Sequence, residues 1–368
     1  MQKDKDSIVK ENITSQDFII RSSAIGYFNE SFSKDKEVTE CVIESIRKYE
    51  DQFERSYIIR NCENLNISKD GWKKLLNFGR DDEIFNINVA SLMITNGLDV
   101  IEEFYDEIIN AFLKREELKN FDIFKYVNFL RGIRESSTND LLKMLKKHVE
   151  NEKKKINDFD LNYGMYIVNE LRLRTDLDYN FIKRQINKCK SQYYKFYLIE
   201  LLSELKDEKL INFLISQLDE DNYLVNESVG RALAKMDSDK VIEEVNKIYF
   251  DSSYDIRVYL TMVFDRIKTP FAEKLCFNIL KKEEHFDIRS ILASQLCRMY
   301  SKDAIEYVYN MIEKKDYDES MVNLKRELYV STKINNVKYK EVESWRKEID
   351  IEMENIKNSK LYLKFSLK

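Results

Sequence analysis

Apolar residues recur along this chain at helical spacing behind a polar reference position. Core-type residues lie three, four and seven places after it, and a helix-capping residue lies four places before it. In "SQDFIIRSSAIGYF" the reference is Arg21, preceded by Asp17 and followed by Ala24, Ile25 and Phe28. "EDQFERSYIIRNC" repeats the pattern with Asp51, Arg55, Ile58, Ile59 and Cys62. Further copies run Asp82, Asn86, Val89, Ala90, Met93, then Ser191, Lys195, Leu198, Ile199, Leu202, then Asn222, Asn226, Val229, Gly230, Leu233. "SSYDIRVYLTMVF" and "HFDIRSILASQLC" both carry Asp-Ile-Arg, with references Arg257 and Arg289. Weaker copies sit near Phe124, Asn162 and Asn323. The pattern predicts an amphipathic helix at each copy, because positions three, four and seven apart share one helical face.

The references Arg21, Arg55, Asn86, Phe124, Asn162, Lys195, Asn226, Arg257, Arg289 and Asn323 are separated by 34, 31, 38, 38, 33, 31, 31, 32 and 34 residues. A period in the thirties signals stacked repeats rather than one globular core. A second set of amphipathic runs lies between the first: "DEKLINFLISQL", "DKVIEEVNKIYF", "PFAEKLCFNILKK" and "KDAIEYVYNMIEK". The single proline, Pro270, opens one of these, at a position where a missing N–H costs no hydrogen bond. Each unit thus reads as two antiparallel helices, A then B, with the reference on B. Asp, Ser or Asn four residues before the reference is placed to cap helix B by accepting from a free backbone N–H. Asp255 and Asp287 fall two residues before it, inside the first turn, where the helix dipole favours an acid. An arginine one turn in can reach carboxylates and carbonyls at the turn between units, so Arg21, Arg55, Arg257 and Arg289 read as scaffold residues, together with Asp17 and Asp51.

An acid at the helix start, an arginine one turn later and two small or aliphatic core residues resemble the HEAT-repeat family of armadillo-type solenoids. "DFIIRSSAI" and the two Asp-Ile-Arg segments carry the likeness most clearly. The resemblance implies an all-α, right-handed α-solenoid of about nine to ten helix pairs over residues 1–334. Between about 97 and 180 the period stretches and the signature residues are absent, which predicts an irregular middle. Residues 335–368 depart from the repeat. "VKYKEVESWRKEIDIEMENIKN" aligns Val342, Trp345, Ile349 and Ile356 on one stripe and reads as a capping helix, since terminal repeats need a polar outer face. The following "KLYLKFSLK" alternates with period two and reads as an extended tail.

Composition agrees with an all-helical chain. There are 7 Gly and 1 Pro in 368 residues, with 35% charged and 43% hydrophobic residues, which leaves few breakers for tight hairpins or phosphate-binding loops. No apolar run approaches the roughly 18 residues of a membrane span. The polar, charged start lacks the apolar core of a secretory signal. Five scattered cysteines, with no C-x-x-C pair, suit a reducing cytoplasm, and the Lys-, Asn- and Ile-rich usage hints at a bacterial source. His148 and His285 are the only histidines, and they fall in different repeats. That inventory leaves little room for a zinc site or a nucleophile–histidine arrangement. No glycine-rich nucleotide motif occurs, so no catalytic residue, cofactor or metal is expected.

Charge and aromatic placement bear on partners. Residues 81–117 carry ten acids against Lys114 and Arg115, a sum of −8, whereas residues 143–190 carry twelve Lys or Arg against seven acids, a sum of +5. Such runs are solvated faces or surfaces that steer a charged partner. Two residues after the reference stand Tyr57, Tyr126, Tyr197 and Tyr259. In the family this chain resembles, B helices line the concave side, where these tyrosines either fill the seams between B helices or act as contact anchors. Arg60, Glu200, Glu204, Arg231, Lys235, Arg266 and Arg298 lie nearby in the pattern. The leading expectation is a non-catalytic scaffold binding another protein through this surface. The alternative is a nucleic-acid binder, since some HEAT-like solenoids are DNA glycosylases; the basic middle favours it and the net charge of −5 opposes it. An enzyme resembling HEAT-like bilin lyases is the third class, supported by the repeat alone.

Overall fold

The computed structural model describes residues 4–113, 123–150 and 158–359. Every regular element among them is helical, mostly α with short 3₁₀ turns. The period-two segment at 360–368, the basic run at 153–155 and the charges at 114–117 lie outside the described residues. No helix among the described residues is long and apolar enough to cross a membrane.

Helix starts follow the capping logic of the pattern. Asp17, Asp51, Asp82, Ser191 and Asn222 accept from the backbone N–H groups of Ile19, Glu54, Phe85, Tyr194 and Val225. Asp255 and Asp287 lie in the first turns of Tyr254–Leu260 and Phe286–Arg298. Ser253 and His285 precede these two helices without a side-chain cap bond. Pro270 takes the first turn of Pro270–Leu280 behind the Thr269 cap.

Helix ends need another device in a chain so poor in glycine. After Phe18–Glu30, Phe286–Arg298, Ile305–Glu313 and Leu324–Ile334 the chain turns through left-handed residues that are not glycine. These are Phe32, Tyr300, Lys315 and Asn336, with φ from 52° to 53°. Each closes a paired hydrogen-bond motif: Ser33 N to Phe28 O and Phe32 N to Asn29 O show the arrangement at 3.0 and 3.1 Å. Satisfying the orphan carbonyls offsets the roughly 1–2 kcal/mol that a left-handed L-residue costs.

The chain divides into two compact units, 1–127 with 283–367, and 128–282. In the first unit Phe18–Glu30 packs on Gln52–Arg60, which packs on Glu83–Thr95. The intervening helices Lys36–Lys48 and Lys69–Phe78 pack on each other. Phe286–Arg298 packs on Leu324–Ile334, which also meets Lys340–Asn358 and, from the other end of the chain, Phe18–Glu30. In Lys340–Asn358, Val342, Trp345 and Ile349 are buried and Ile356 is half-buried. Trp345 stacks with Tyr309.

In the second unit Asp158–Leu171 packs on Gln192–Leu202, then Gln192–Leu202 on Tyr223–Lys235, then Tyr223–Lys235 on Tyr254–Leu260 and Val263–Arg266. Within each of these runs, helix–helix contact therefore passes from one reference-bearing helix to the next. The stretched middle begins with a break: Gly97, at φ 98°, precedes Leu98–Glu103, and Phe104 separates that helix from Tyr105–Leu113. That backbone conformation is one only glycine adopts freely.

Candidate functional site

Arg21, Arg55 and Arg289 reach groups in the turns that lead into reference-bearing helices, rather than in the turns between units that the pattern predicts. Arg21 has no exposed surface. It donates to the carbonyls of Ser15 and Gln16 at 2.6 and 3.3 Å, pairs with Glu54, and lies 3.8 Å from the centroid of the Tyr49 ring. Burial lowers its basicity against the pull of Glu54, and burial likewise raises the Glu54 carboxyl against the pull of Arg21. Arg55 donates to the carbonyls of Ile46 and Tyr49 at 2.9 and 3.0 Å, at the end of Lys36–Lys48. Arg289 makes a two-point pair with Asp316 at 3.1 and 2.6 Å. Arg257 is half-buried on Tyr254–Leu260.

The tyrosine row does not form one surface. Tyr197 is fully buried, which corrects the expectation that it contacts a partner. The reason is Gly164 on the preceding reference-bearing helix: a Cβ there would lie 2.1 Å from Tyr197 Cζ, so the ring occupies the space a side chain would fill. The row thus fills an inter-helix seam at this point. Glu200, expected on the surface, is also buried, at 3% exposure. Tyr57 is half-buried and packs edge-on against Phe18, with centroids at 5.4 Å, and at a tilt against Phe53, with centroids at 5.9 Å. Tyr126 and Tyr259 are half-buried. Burial, with Glu227 and Asp255 nearby, pushes the Tyr259 hydroxyl above its ordinary range.

The second unit gathers the richest constellation around Glu200. Three cations from two neighbouring elements converge on its carboxylate: Arg172, just beyond Asp158–Leu171, at 3.3 Å, and Arg231 and Lys235 from Tyr223–Lys235 at 3.1 and 3.2 Å. Arg172 also donates to the Glu200 carbonyl at 3.0 Å and to Asn169 Oδ1 at 2.7 Å. Lys235 adds Ser203 Oγ and Glu204 at 3.2 Å each. Arg231 reaches Glu227 at 3.4 Å and lies 5.4 Å from the Phe196 ring centroid. Burial raises the Glu200 carboxyl, but Lys235, Arg231 and Arg172 together outweigh it and hold the group below its ordinary range. A buried carboxylate is stable only with such compensation.

Three cations and the three acids Glu200, Glu204 and Glu227 balance. The arrangement therefore braces three successive helices and presents a rim of alternating charge, with Glu204 and Glu227 on the outside at 40% and 37% side-chain exposure. Of the residues singled out in the sequence, Glu200 and Arg231 meet here, and Tyr259 stands near Glu227. Arg266 ends the next helix of this unit. Arg60, Tyr57, Tyr126 and Arg298 belong to the first unit, where Arg298 pairs with Glu30 at 3.3 Å. Arg172 escaped sequence reasoning because it lies ten places after its reference, where Glu204, Lys235, Arg266 and Arg298 lie nine after theirs. The stretched middle had moved it out of line.

Trp72 and Trp345 are buried at 1% and 5% exposure. His148 packs its ring 4.6 Å from that of Tyr163. All five cysteines are free, and burial pushes the Cys62 thiol up to about 12. A scan of protein-family models finds no match to this chain, and searches of curated proteins and of solved structures find none either.

Proposed function

We propose that this chain is a non-catalytic scaffold that binds another protein, and that its helices are HEAT-like pairs stacked as a right-handed α-solenoid capped by Lys340–Asn358. The passage of contact from one reference-bearing helix to the next supports the stacking. The Glu200 brace carries the functional reading. It immobilises Arg231 and Lys235 in a rim that also includes Glu204, Glu227 and the half-exposed Tyr259. A rigid rim of arginine and tyrosine loses little side-chain entropy on binding, which favours a hot spot. Its interleaved signs fit a protein surface of matching alternation better than a uniformly charged polymer.

The test is capture of partners from native lysate, with and without nuclease, using the full chain and its Tyr259→Ala/Arg266→Ala variant. A single stoichiometric protein should co-elute after nuclease treatment and be lost from the variant, whose helicity and melting temperature should stay near those of the parent. Capture that disappears on nuclease treatment would overturn the reading.

One observation favours nucleic acid instead. Lys143, Lys146 and Lys147 on Thr138–Glu150, and Arg184 and Lys188 on Tyr179–Lys188, are exposed. Binding through them would weaken steeply with salt, as phosphate contacts release counterions. The burial of both tryptophans removes the side chains best suited to wedge or stack on a base, so a glycosylase-like role has no support beyond those cations.

A further inference from the structure

We infer that the junction between the N-terminal helices (residues 5–60) and the C-terminal helices (residues 286–358) of the first unit is a salt-sensitive latch, the interface of that unit that opens first. The junction is built from partners 268 to 329 residues apart in sequence. Tyr329 Oη donates to Asp17 Oδ2 at 2.8 Å, and Arg346 pairs with the same carboxylate. Lys357 pairs with Asp51 at 2.9 Å and Arg298 with Glu30 at 3.3 Å. Lys5 Nζ donates to the Met299 carbonyl at 3.0 Å, Tyr300 Oη lies 3.3 Å from Ser23 Oγ, and the Tyr27 and Tyr300 rings stack at 5.4 Å.

Two arguments lead to opening at this place. The first is topological. Lys36–Lys48 and Gln52–Arg60, like Phe286–Arg298 and its neighbours, are tied together by short turns, so their contacts re-form as fast local events. The latch is tied only through some three hundred residues of intervening chain. No short turn joins its two sides, so nothing local holds them together once its contacts break.

The second argument is electrostatic. The three ion pairs keep between 20% and 42% of each side chain exposed, so salt screens them, and the Debye length falls to about 3 Å at 1 M. Below them Phe18–Glu30 buries residues on more than one side, Ile19, Ile20, Ala24, Ile25, Tyr27 and Phe28 among them. It lacks the polar outer face of a terminal repeat, so opening exposes apolar surface and is transient.

Hydrogen exchange on the full chain at 0.1 and 1 M NaCl tests this. Amides of Phe18–Glu30 and Leu324–Ile334 should lose about tenfold protection at high salt, while those of Gln192–Leu202 keep theirs. One common change across all helices, or none at the two latch helices, would overturn it. Lys357→Glu places a second negative charge against Asp51 and should accelerate the same two helices at low salt. Adding Asp51→Asn, which keeps a side-chain cap, should restore them. Exchange at the latch unmoved by Lys357→Glu counts against the proposal, and if that variant does not fold, the salt comparison on the parent chain decides.

Discussion

Glu200 on Gln192–Leu202 and Glu327 on Leu324–Ile334 are both penalised by burial, yet they end on opposite sides of the ordinary range. Glu200, in the second unit, has Lys235, Arg231 and Arg172 at its oxygens and is held low. Glu327, in the first unit, keeps part of its residue surface in water, but its Oε2 is covered and has no hydrogen-bond partner. Burial raises it; Arg298, the Ser294 hydroxyl and Arg326 pull it down, and Glu30 pushes it up again. The difference is in the sharing of cations. Three serve Glu200, whereas Arg298 divides its charge between Glu327 and Glu30, with which it also closes the latch. A buried acid held by three cations braces its helices; one whose cations also serve other acids, as Arg298 serves Glu30 and Arg326 serves Glu352, leaves its site under electrostatic tension.

The comparison breaks most sharply if two of the three cations at Glu200 are removed. Replacing Arg231 and Lys235 together by alanine leaves Glu200 with Arg172 alone. Unfolding by urea at neutral pH should then show a loss of about 3–5 kcal/mol, the usual cost of stripping a buried charge of its partners. A loss under about 1 kcal/mol would mean that the two cations do not carry the brace.

The next effect is smaller. Glu200→Gln keeps the shape and removes the charge, and should cost about 2 kcal/mol at pH 7, in line with hydrogen bonds to charged groups. Because Glu200 is depressed in the folded state, its contribution is present above the unfolded carboxylate range and is lost as pH falls through the folded value. The gap between parent and variant should therefore narrow on acidification. A gap independent of pH would show that packing, not charge, is at stake.

Much of this was legible in residue types and spacing. Asp17, Asp51, Asp82, Ser191 and Asn222 announce helix starts because a short polar side chain ahead of an apolar-periodic run has one local use. Arg21 and Arg55 recur because turns recur, and each reaches the carbonyl of the residue six places before it. What could not be read was which exposed-looking position lies under a neighbour. Tyr197 and Tyr259 occupy the same place in the pattern, and only Gly164, on another helix and in the stretched middle, puts the first inside. Glu200 likewise looked like a surface acid beside Arg231, since the sum of three cations depends on Arg172, which is out of register. The meeting of residues 5–60 with 286–358 has no signature at all in a repeat whose every local rule concerns adjacent units.

The mildest change tests the other half of the comparison. Glu327→Gln removes a carboxylate whose folded-state value is raised, so the sign is the reverse of that at Glu200. Ionised Glu327 costs stability above its raised folded value, and the parent recovers that cost as pH falls into the ordinary carboxylate range, where the group is protonated in both states. At pH 8 the variant should be the more stable of the two, and the gap should close as pH falls through the ordinary carboxylate range. Freed of its competitor, Arg298 is left to Glu30, so the gain should come with slower exchange of the Phe18–Glu30 amides across the latch. A variant less stable than the parent at pH 8 would mean that Arg298 holds Glu327 more tightly than burial repels it, and that the two acids share one solution after all.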